Sequence, residues 1–359
     1  MSNEIEELEK QAFEEDDFSE LPPSDIIAYN ELRSCSDLFR MYANDDLIIQ
    51  PEFQREIVWK SPAQTRFIDS LIKGLPIPSM CFSLDYNTQK WQVIDGLQRM
   101  SSIIRFFEGD WKLSKLDDIE PKISGVNVST LANPKSNLNI YYKRIENNSI
   151  PITVLRCDYS KTSHTNYLFT IFHRLNTGGM KLNNQEIRNC IFSGPFNDLL
   201  NDLNENKTWM KLNRMKSTEG YRFTKQEIIL RFFAFYDQYK KYNGHLAKFL
   251  NNYMHDNVEP DDEFLVGKRN LFEETINLIY KKLFDGKAPS KLSVTYLEAL
   301  LVGVASNLNS VSNKPKNALT SRYNKLISHE EFTEQKLREG LSKRQRVIAR
   351  MNAAIESFT

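Results

Sequence analysis

The sequence is poor in cysteine, contains no long hydrophobic run and has no excess of either charge. No stretch of 18 apolar residues occurs, so no membrane-spanning helix and no membrane partner are expected. The chain starts without a charged-then-apolar leader, and its four cysteines form no Cys-x-x-Cys pair. This pattern is typical of a reducing compartment and predicts a cytoplasmic protein.

Charge is balanced overall but unevenly distributed. Lys plus Arg and Asp plus Glu number 47 each, which excludes the global positive field of a protein that coats DNA. The first 20 residues contain nine acidic residues and one basic residue, so residues 1–24 are predicted to be an acidic flexible tail. The basic C-terminal stretch indicates a weak nucleic-acid contact, against which a solvated helix face is the favoured alternative. The residues concerned are Lys343, Arg344, Arg346 and Arg350.

Several catalytic signatures are missing. The five histidines show no metal-ligand spacing and no His-x-x-Pro element of an HNH nuclease. No Walker-type Gly-x-x-x-x-Gly-Lys-Ser/Thr loop, no His-Glu-x-x-His and no Gly-x-Ser-x-Gly sequence occurs. Any chemistry on a nucleoside triphosphate (NTP) therefore has to use a different motif.

Hydrophobic periodicity predicts an α+β protein of two domains. Residues 25–194 alternate short apolar runs, typical of strands at 47–49, 79–84, 91–94 and 152–156, with helical spacing, and predict a mixed α/β domain. Residues 112–150 are polar and are predicted to be an irregular insertion. From residue 195 to 359 strand signals largely disappear, which predicts an all-helical C-terminal domain. Its predicted helices are 196–203, 225–239, 246–253, 263–284, 294–308 and 330–357.

The segment Asp95-Gly96-Leu97-Gln98-Arg99 lies at a predicted strand-to-helix junction. Gly96 permits a sharp turn and the close approach of a ligand. The N-terminus of the following helix offers unpaired N–H groups to a phosphate, and Arg99 is able to grip phosphate oxygens. Asp95 is a candidate for holding a metal ion or orienting water. Spacing alone favours a simpler interpretation, an ordinary Asp-Gly turn followed by a solvated arginine.

Two further segments contain candidate binding residues. Gln54 and Arg55 precede Trp59 in a predicted loop, where a surface loop pinned by an aromatic residue is the alternative. Residues 176–179 (Asn-Thr-Gly-Gly) form a predicted turn between helices, where two glycines are able to build an anion-binding nest. Glu186 and Arg188 follow it, and an ordinary helix–loop–helix turn is favoured when this segment is taken alone.

The joint occurrence of these elements, in the order 53–59, 71–78, 93–99 and 172–188, resembles the N-terminal domain family of GmrSD-type restriction endonucleases. The resemblance covers about residues 30–235, including Arg231. It implies a ParB/sulfiredoxin-like mixed α/β fold and a module that binds and hydrolyses NTP with Mg²⁺ in prokaryotic defence against phage or modified DNA. The chain resembles a stand-alone member without the HNH nuclease domain of restriction-type relatives.

The resemblance also implies roles for individual residues. The family's catalytic signature, Asp-Gly-Gln-Gln-Arg, maps onto residues 95–99, with Leu97 in place of the first Gln, and makes Asp95, Gln98 and Arg99 the catalytic residues. Asp95 is also the implied Mg²⁺ ligand. The implied nucleotide- and phosphate-binding residues are Gln54, Arg55, Gly96, Asn176, Thr177, Gly178, Gly179, Glu186 and Arg188.

Three functional hypotheses remain open. The first is NTP hydrolysis at the Asp95 motif. The second is a non-catalytic sensor of a nucleotide or modified DNA that acts with a separate nuclease or defence-system subunit, which the missing nuclease signature and Leu97 favour. The third is metal-dependent DNA cleavage. The expected partners are a nucleotide, DNA, a separate subunit and further copies of the chain.

Overall fold

A five-stranded mixed sheet lies in the first part of the chain in this structure, a computed structural model that describes residues 20–49, 59–175, 182–215, 222–289, 292–338 and 340–359. The strands are β1 (Ile27–Ser34), β2 (Leu47–Ile48), β3 (Met80–Asp85), β4 (Trp91–Asp95) and β5 (Ser149–Cys157). Their spatial order is β1-β5-β3-β4-β2, in which the neighbours β5/β3 and β4/β2 are parallel and the other two pairs are antiparallel. The predicted α+β fold class is confirmed.

The helices that precede β5 cover one face of this sheet. Met80 and Phe82 of β3, with Ile152 and Val154 of β5, point into a core that the apolar faces of the helices complete. The helices of this unit are α1 (Cys35–Ala43), α2 (Ser61–Ile72), α3 (Leu97–Glu108), α4 (Val128–Ala132), α5 (Asn139–Glu146) and α6 (Thr162–Leu175). The sheet unit, residues 21–176, is compact by itself.

Residues 112–150 differ from the predicted irregular insertion. They contain α4 and α5, and Ile123, Val128, Leu131 and Ile145 are fully buried in the core of the sheet unit. The polar residues between these positions obscured the apolar spacing in the sequence. The apolar side chains with this spacing complete the core. The segment is therefore a structural part of the sheet unit.

Among the described residues, the second unit comprises residue 20 and those from 182 to 359. Its described part contains helices and no strand, as predicted. The predicted acidic tail lies outside the described residues up to position 19. The helices are α7 (Asn184–Ile191), α8 (Pro195–Asn204), α9 (Lys207–Leu212), α10 (Arg222–Gln238), α11 (Leu246–Asp256), α12 (Asp262–Asn277), α13 (Val294–Ser306), α14 (Leu308–Val311), α15 (Lys316–Ile327), α16 (Glu334–Arg338) and α17 (Arg344–Phe358).

Two details of the helical unit differ from the sequence-based expectations. Helix α7, assigned above to the first domain, packs among the helices of the second unit. The prediction of a single helix over 330–357 was wrong, because Gly340 adopts a φ of 137° and separates α16 from α17. A residue with this φ lies outside the helical region of backbone conformation.

The described helices show no membrane span. None combines the length and the apolar character that crossing a bilayer requires.

Candidate functional site

A β-bulge places Asp95 on the sheet face that points away from the core. Phe82 on β3 pairs with Val93 on β4, whereas the preceding residue, Cys81, pairs with Asp95, so Ile94 is an extra residue on β4. Bulges of this kind redirect a side chain and often lie beside functional sites. If β4 had no bulge, Ile94 would pair with Cys81, and the Asp95 side chain would not lie on this face.

Gly96 turns the chain from β4 directly into α3. It caps the helix with a φ of 102°, in the left-handed region that favours glycine. A Cβ atom at this position would lie 2.6 Å from Cγ of Met80, which is fully buried. The predicted strand-to-helix junction is therefore present, and its geometry requires glycine for two separate reasons.

Arg99, one turn into α3, holds Asp95 in place. Its Nη2 donates to Asp95 Oδ2 at 2.8 Å, and its Nη1 donates to the carbonyl oxygens of Pro78 and Ser79, just before β3. Only 14% of the Arg99 side chain is exposed, against 42% of the Asp95 side chain. The alternative of a solvated arginine is therefore wrong. Burial lowers the pKa of the Arg99 guanidinium, although the Asp95 carboxylate acts in the opposite direction.

The other two motif residues have structural contacts. Gln98 Oε1 accepts a hydrogen bond from the backbone N–H of Trp59 at 3.1 Å, which ties the start of α3 to the start of α2. Leu97 is half-buried and packs against the core of the sheet unit. An apolar residue at position 97 is therefore accounted for by packing. The candidates Gln54 and Arg55 lie outside the described residues.

The start of α3 is chemically suited to an anion. Its N-cap residue, Gly96, makes no side-chain capping bond and its first turn contains no acidic residue, so nothing within the helix neutralises its N–H groups. The half-exposed carboxylate of Asp95 immediately precedes it. This juxtaposition offers N–H donors for a phosphate beside an oxygen ligand for a cation.

The described residues could bind a magnesium ion only together with a further ligand such as a nucleotide. They include no group of three or more His, Cys, Asp or Glu side chains able to hold a metal ion. Magnesium is commonly bound through one or two carboxylates together with the phosphates of its nucleotide. Asp95 would therefore hold the ion jointly with a bound nucleotide.

Cys81 lies opposite Asp95 and does not supply a nucleophile. Only 8% of the residue is exposed. Burial, assisted by the Asp95 carboxylate, raises the pKa of the Cys81 thiol to about 12. The thiol is therefore neutral at physiological pH, and the thiolate is the nucleophilic form.

Glu186 and Arg188 are structural in the helical unit. The Glu186 side chain accepts from the N–H of Asn183, while the Asn183 side chain accepts from the N–H of Glu186, which is a capping box at the start of α7. Arg188 is 1% exposed, and it donates to Glu227 Oε2 and to Asn251 Oδ1, both at 2.9 Å. Residues 176–179 lie outside the described residues. The phosphate-binding role given to these positions stays a prediction.

A buried polar network surrounds Arg188 and was not predicted from the sequence. Gln185 donates to Asn189, and Asn189 donates to Gln226 on α10. Glu227, also on α10, accepts from both Arg188 and Arg231. Burial alone would raise the pKa of the Glu227 carboxyl, but the two guanidinium groups outweigh it and lower that pKa. The i, i+3 and i, i+4 spacing of the polar residues on α7 was the available signal.

The basic residues near the C-terminus are largely engaged within the unit. Arg350 is 1% exposed and donates to the carbonyl oxygen of Leu341, so its predicted contact with nucleic acid is wrong. Arg346 lies 3.7 Å from Glu331, and Arg344 Nε donates to the carbonyl oxygen of Tyr242. Lys343 is exposed. For Lys343, Arg344 and Arg346 the nucleic-acid contact stays a prediction.

Comparison with known proteins identifies a family for part of the chain. Residues 35–193 match the family model described as the N-terminal domain of GmrSD restriction endonucleases. No curated protein and no solved structure matches the chain. The matched range begins at α1 and includes the Asp95–Arg99 segment with its bulge and its glycine. The resemblance inferred from the ordered motifs is confirmed.

Proposed function

Because residues 35–193 match the N-terminal domain of GmrSD restriction endonucleases, we propose that this protein binds and hydrolyses a nucleoside triphosphate in a restriction-type defence against phage. The family match itself suggests the defence role. The observation that supports the chemistry is the position of Asp95, a half-exposed carboxylate held by Arg99 beside the uncapped N-terminus of α3.

Asp95, Arg99 and the N-terminus of α3 have distinct parts in this proposal. The terminal phosphates accept hydrogen bonds from the first-turn N–H groups of α3. Asp95 orients a water molecule and accepts its proton as the oxygen attacks the γ-phosphorus, and the nucleoside diphosphate leaves as the bond to the γ-phosphoryl group breaks. Magnesium, when bound, would neutralise phosphate charge. Arg99 is a positioning residue, because its described hydrogen bonds fix Asp95 and the chain before β3.

Phosphate release by the purified protein tests this function. We expect release from at least one of ATP, GTP, CTP and UTP in the presence of magnesium. Asp95→Ala and Arg99→Ala should each reduce the rate by about 100-fold or more, in line with the usual contribution of a positioned acid–base group. Arg66→Ala is the matched control, since Arg66 lies in the same unit and pairs with Asp118 on the surface. Unchanged turnover in both motif variants would refute the proposal.

A second candidate function is a sensor that binds the nucleotide without hydrolysing it. The packing of Leu97 against the core favours it, because the family's motif has a polar Gln at this position. Thermal stabilisation of the protein by one NTP, without any phosphate release, would identify a sensor. Stabilisation accompanied by release would select the enzyme.

A further inference from the structure

A row of polar side chains crosses the sheet from Asp95 to its edge. The strand registers align Asp95 on β4 with Cys81 on β3, Cys81 with Thr153 on β5, and Thr153 with Asn30 on β1. Residues paired across neighbouring strands point to the same side of a sheet. The row therefore shares the face onto which the bulge directs Asp95.

Hydrogen bonds connect this row to the motif. Thr153 Oγ1 donates to Asn30 Oδ1 at 2.9 Å, and it lies 3.1 Å from Ser79 Oγ. The carbonyl oxygen of Ser79 in turn accepts from Arg99. We call Ser79, Thr153 and Asn30 the hydroxyl–amide row. Hydrogen bonds thus link this row to Arg99, which positions Asp95.

Among the described residues of this face, the polar side chains at Ser79, Thr153 and Asn30 are accessible, whereas Cys81 in the same row is only 8% exposed. Further along β3, Ser83 is fully buried and bonds to the Tyr159 hydroxyl. On β5, Leu155 is 7% exposed, whereas Thr153 is half-buried. Ser79 and Asn30 are exposed. The accessible polar groups of this end of the face therefore belong to the hydroxyl–amide row.

The row has the reach and the donors to contact a nucleoside. Three strand spacings separate Asp95 from Asn30, which is about 14 Å across the sheet. Because Thr153 donates to Asn30 Oδ1, the Nδ2 group of Asn30 keeps its two N–H donors, which have no partner among the described residues.

We propose that the hydroxyl–amide row binds the ribose and base of the nucleotide whose phosphates lie at Asp95. This inference rests on the proposed function of the motif. It assigns phosphate binding to the α3 N-terminus and nucleoside binding to Thr153 and Asn30. The nucleoside then lies across β3 and β5, towards the edge strand β1.

Calorimetric titration with two ligands tests the assignment. The probes are the NTP that gives the highest affinity and inorganic tripolyphosphate, each with magnesium. Asn30→Ala and Thr153→Val should bind the NTP about three- to tenfold more weakly, the loss expected for a neutral hydrogen bond. Both should bind tripolyphosphate as the wild type does. Asn133→Ala, another exposed asparagine of the sheet unit, is the control and should change neither affinity.

The outcomes separate this inference from the proposed function. If both variants bind the NTP with wild-type affinity while Asp95→Ala binds it poorly, the row is not the nucleoside site and the function of the motif stands. If tripolyphosphate binding weakens together with NTP binding, the row contacts phosphate and the assignment is wrong. If the wild type binds neither ligand, both proposals fall.

Discussion

Replacement of Arg188 by Ala should lower the free energy of unfolding of the helical unit by about 3–5 kcal/mol, the usual cost of removing one partner from a buried ion pair. Arg188 is 1% exposed, and its guanidinium donates to Glu227, Asn251 and Gln185. The variant leaves buried acceptors without this donor. It also leaves Glu227 with one fewer described cationic partner.

Arg269→Ala is the control for this prediction. Arg269 belongs to the same unit and pairs with Asp202, with 40% and 65% of the two side chains exposed. An exposed pair contributes about 1 kcal/mol or less, so this variant should unfold almost as the wild type does. Urea unfolding followed by circular dichroism measures both. Equal losses in the two variants would show that the buried network does not stabilise the helical unit.

Replacement of Gly96 by Ala should destabilise the sheet unit by about 2–5 kcal/mol. Two independent costs add at this position. A left-handed φ strains any residue with a Cβ atom by about 1–2 kcal/mol. The new Cβ atom would also overlap the buried side chain of Met80, and overpacking of a core typically costs about 1–3 kcal/mol.

Gly109, at the other end of α3, isolates the first of these costs. Its φ is 82°, and nothing lies within 4 Å of a Cβ atom built there. Gly109→Ala should therefore cost only about 1–2 kcal/mol. Thermal unfolding of the two variants under identical conditions gives the comparison. A loss for Gly109→Ala as large as that for Gly96→Ala would mean that contact with Met80 contributes nothing.

Local signals in the sequence were enough to predict the junction at the site. Asp-Gly after an apolar run and before helical spacing predicted a strand over 91–94 with a helix after it; the observed β4 extends one residue further, to Asp95, and α3 follows. Helical periodicity also predicted the all-helical character of the second unit. These features depend on residues within a few positions of each other, and periodicity reports such neighbours directly.

Contacts between distant segments could not be predicted in the same way. The bulge at Ile94 depends on how β3 pairs with β4, and the partners of Arg99 at Pro78 and Ser79 come from about 20 positions earlier. Likewise, Arg350 appeared to be part of a solvated basic run, yet it donates to Leu341 and is buried. Composition records the charge of such a residue but not the carbonyl group that it meets after folding.

The most direct test of the central claim is the affinity of the wild type, Arg99→Ala and Arg66→Ala for a magnesium–NTP complex, measured by calorimetry. Loss of Arg99 leaves the negative charge of Asp95 unopposed beside the phosphates, so we expect Arg99→Ala to bind at least about tenfold more weakly. Arg66→Ala should bind as the wild type does. Equal affinity of all three proteins, or no binding by the wild type, would contradict the assignment of a nucleotide site to Asp95 and Arg99.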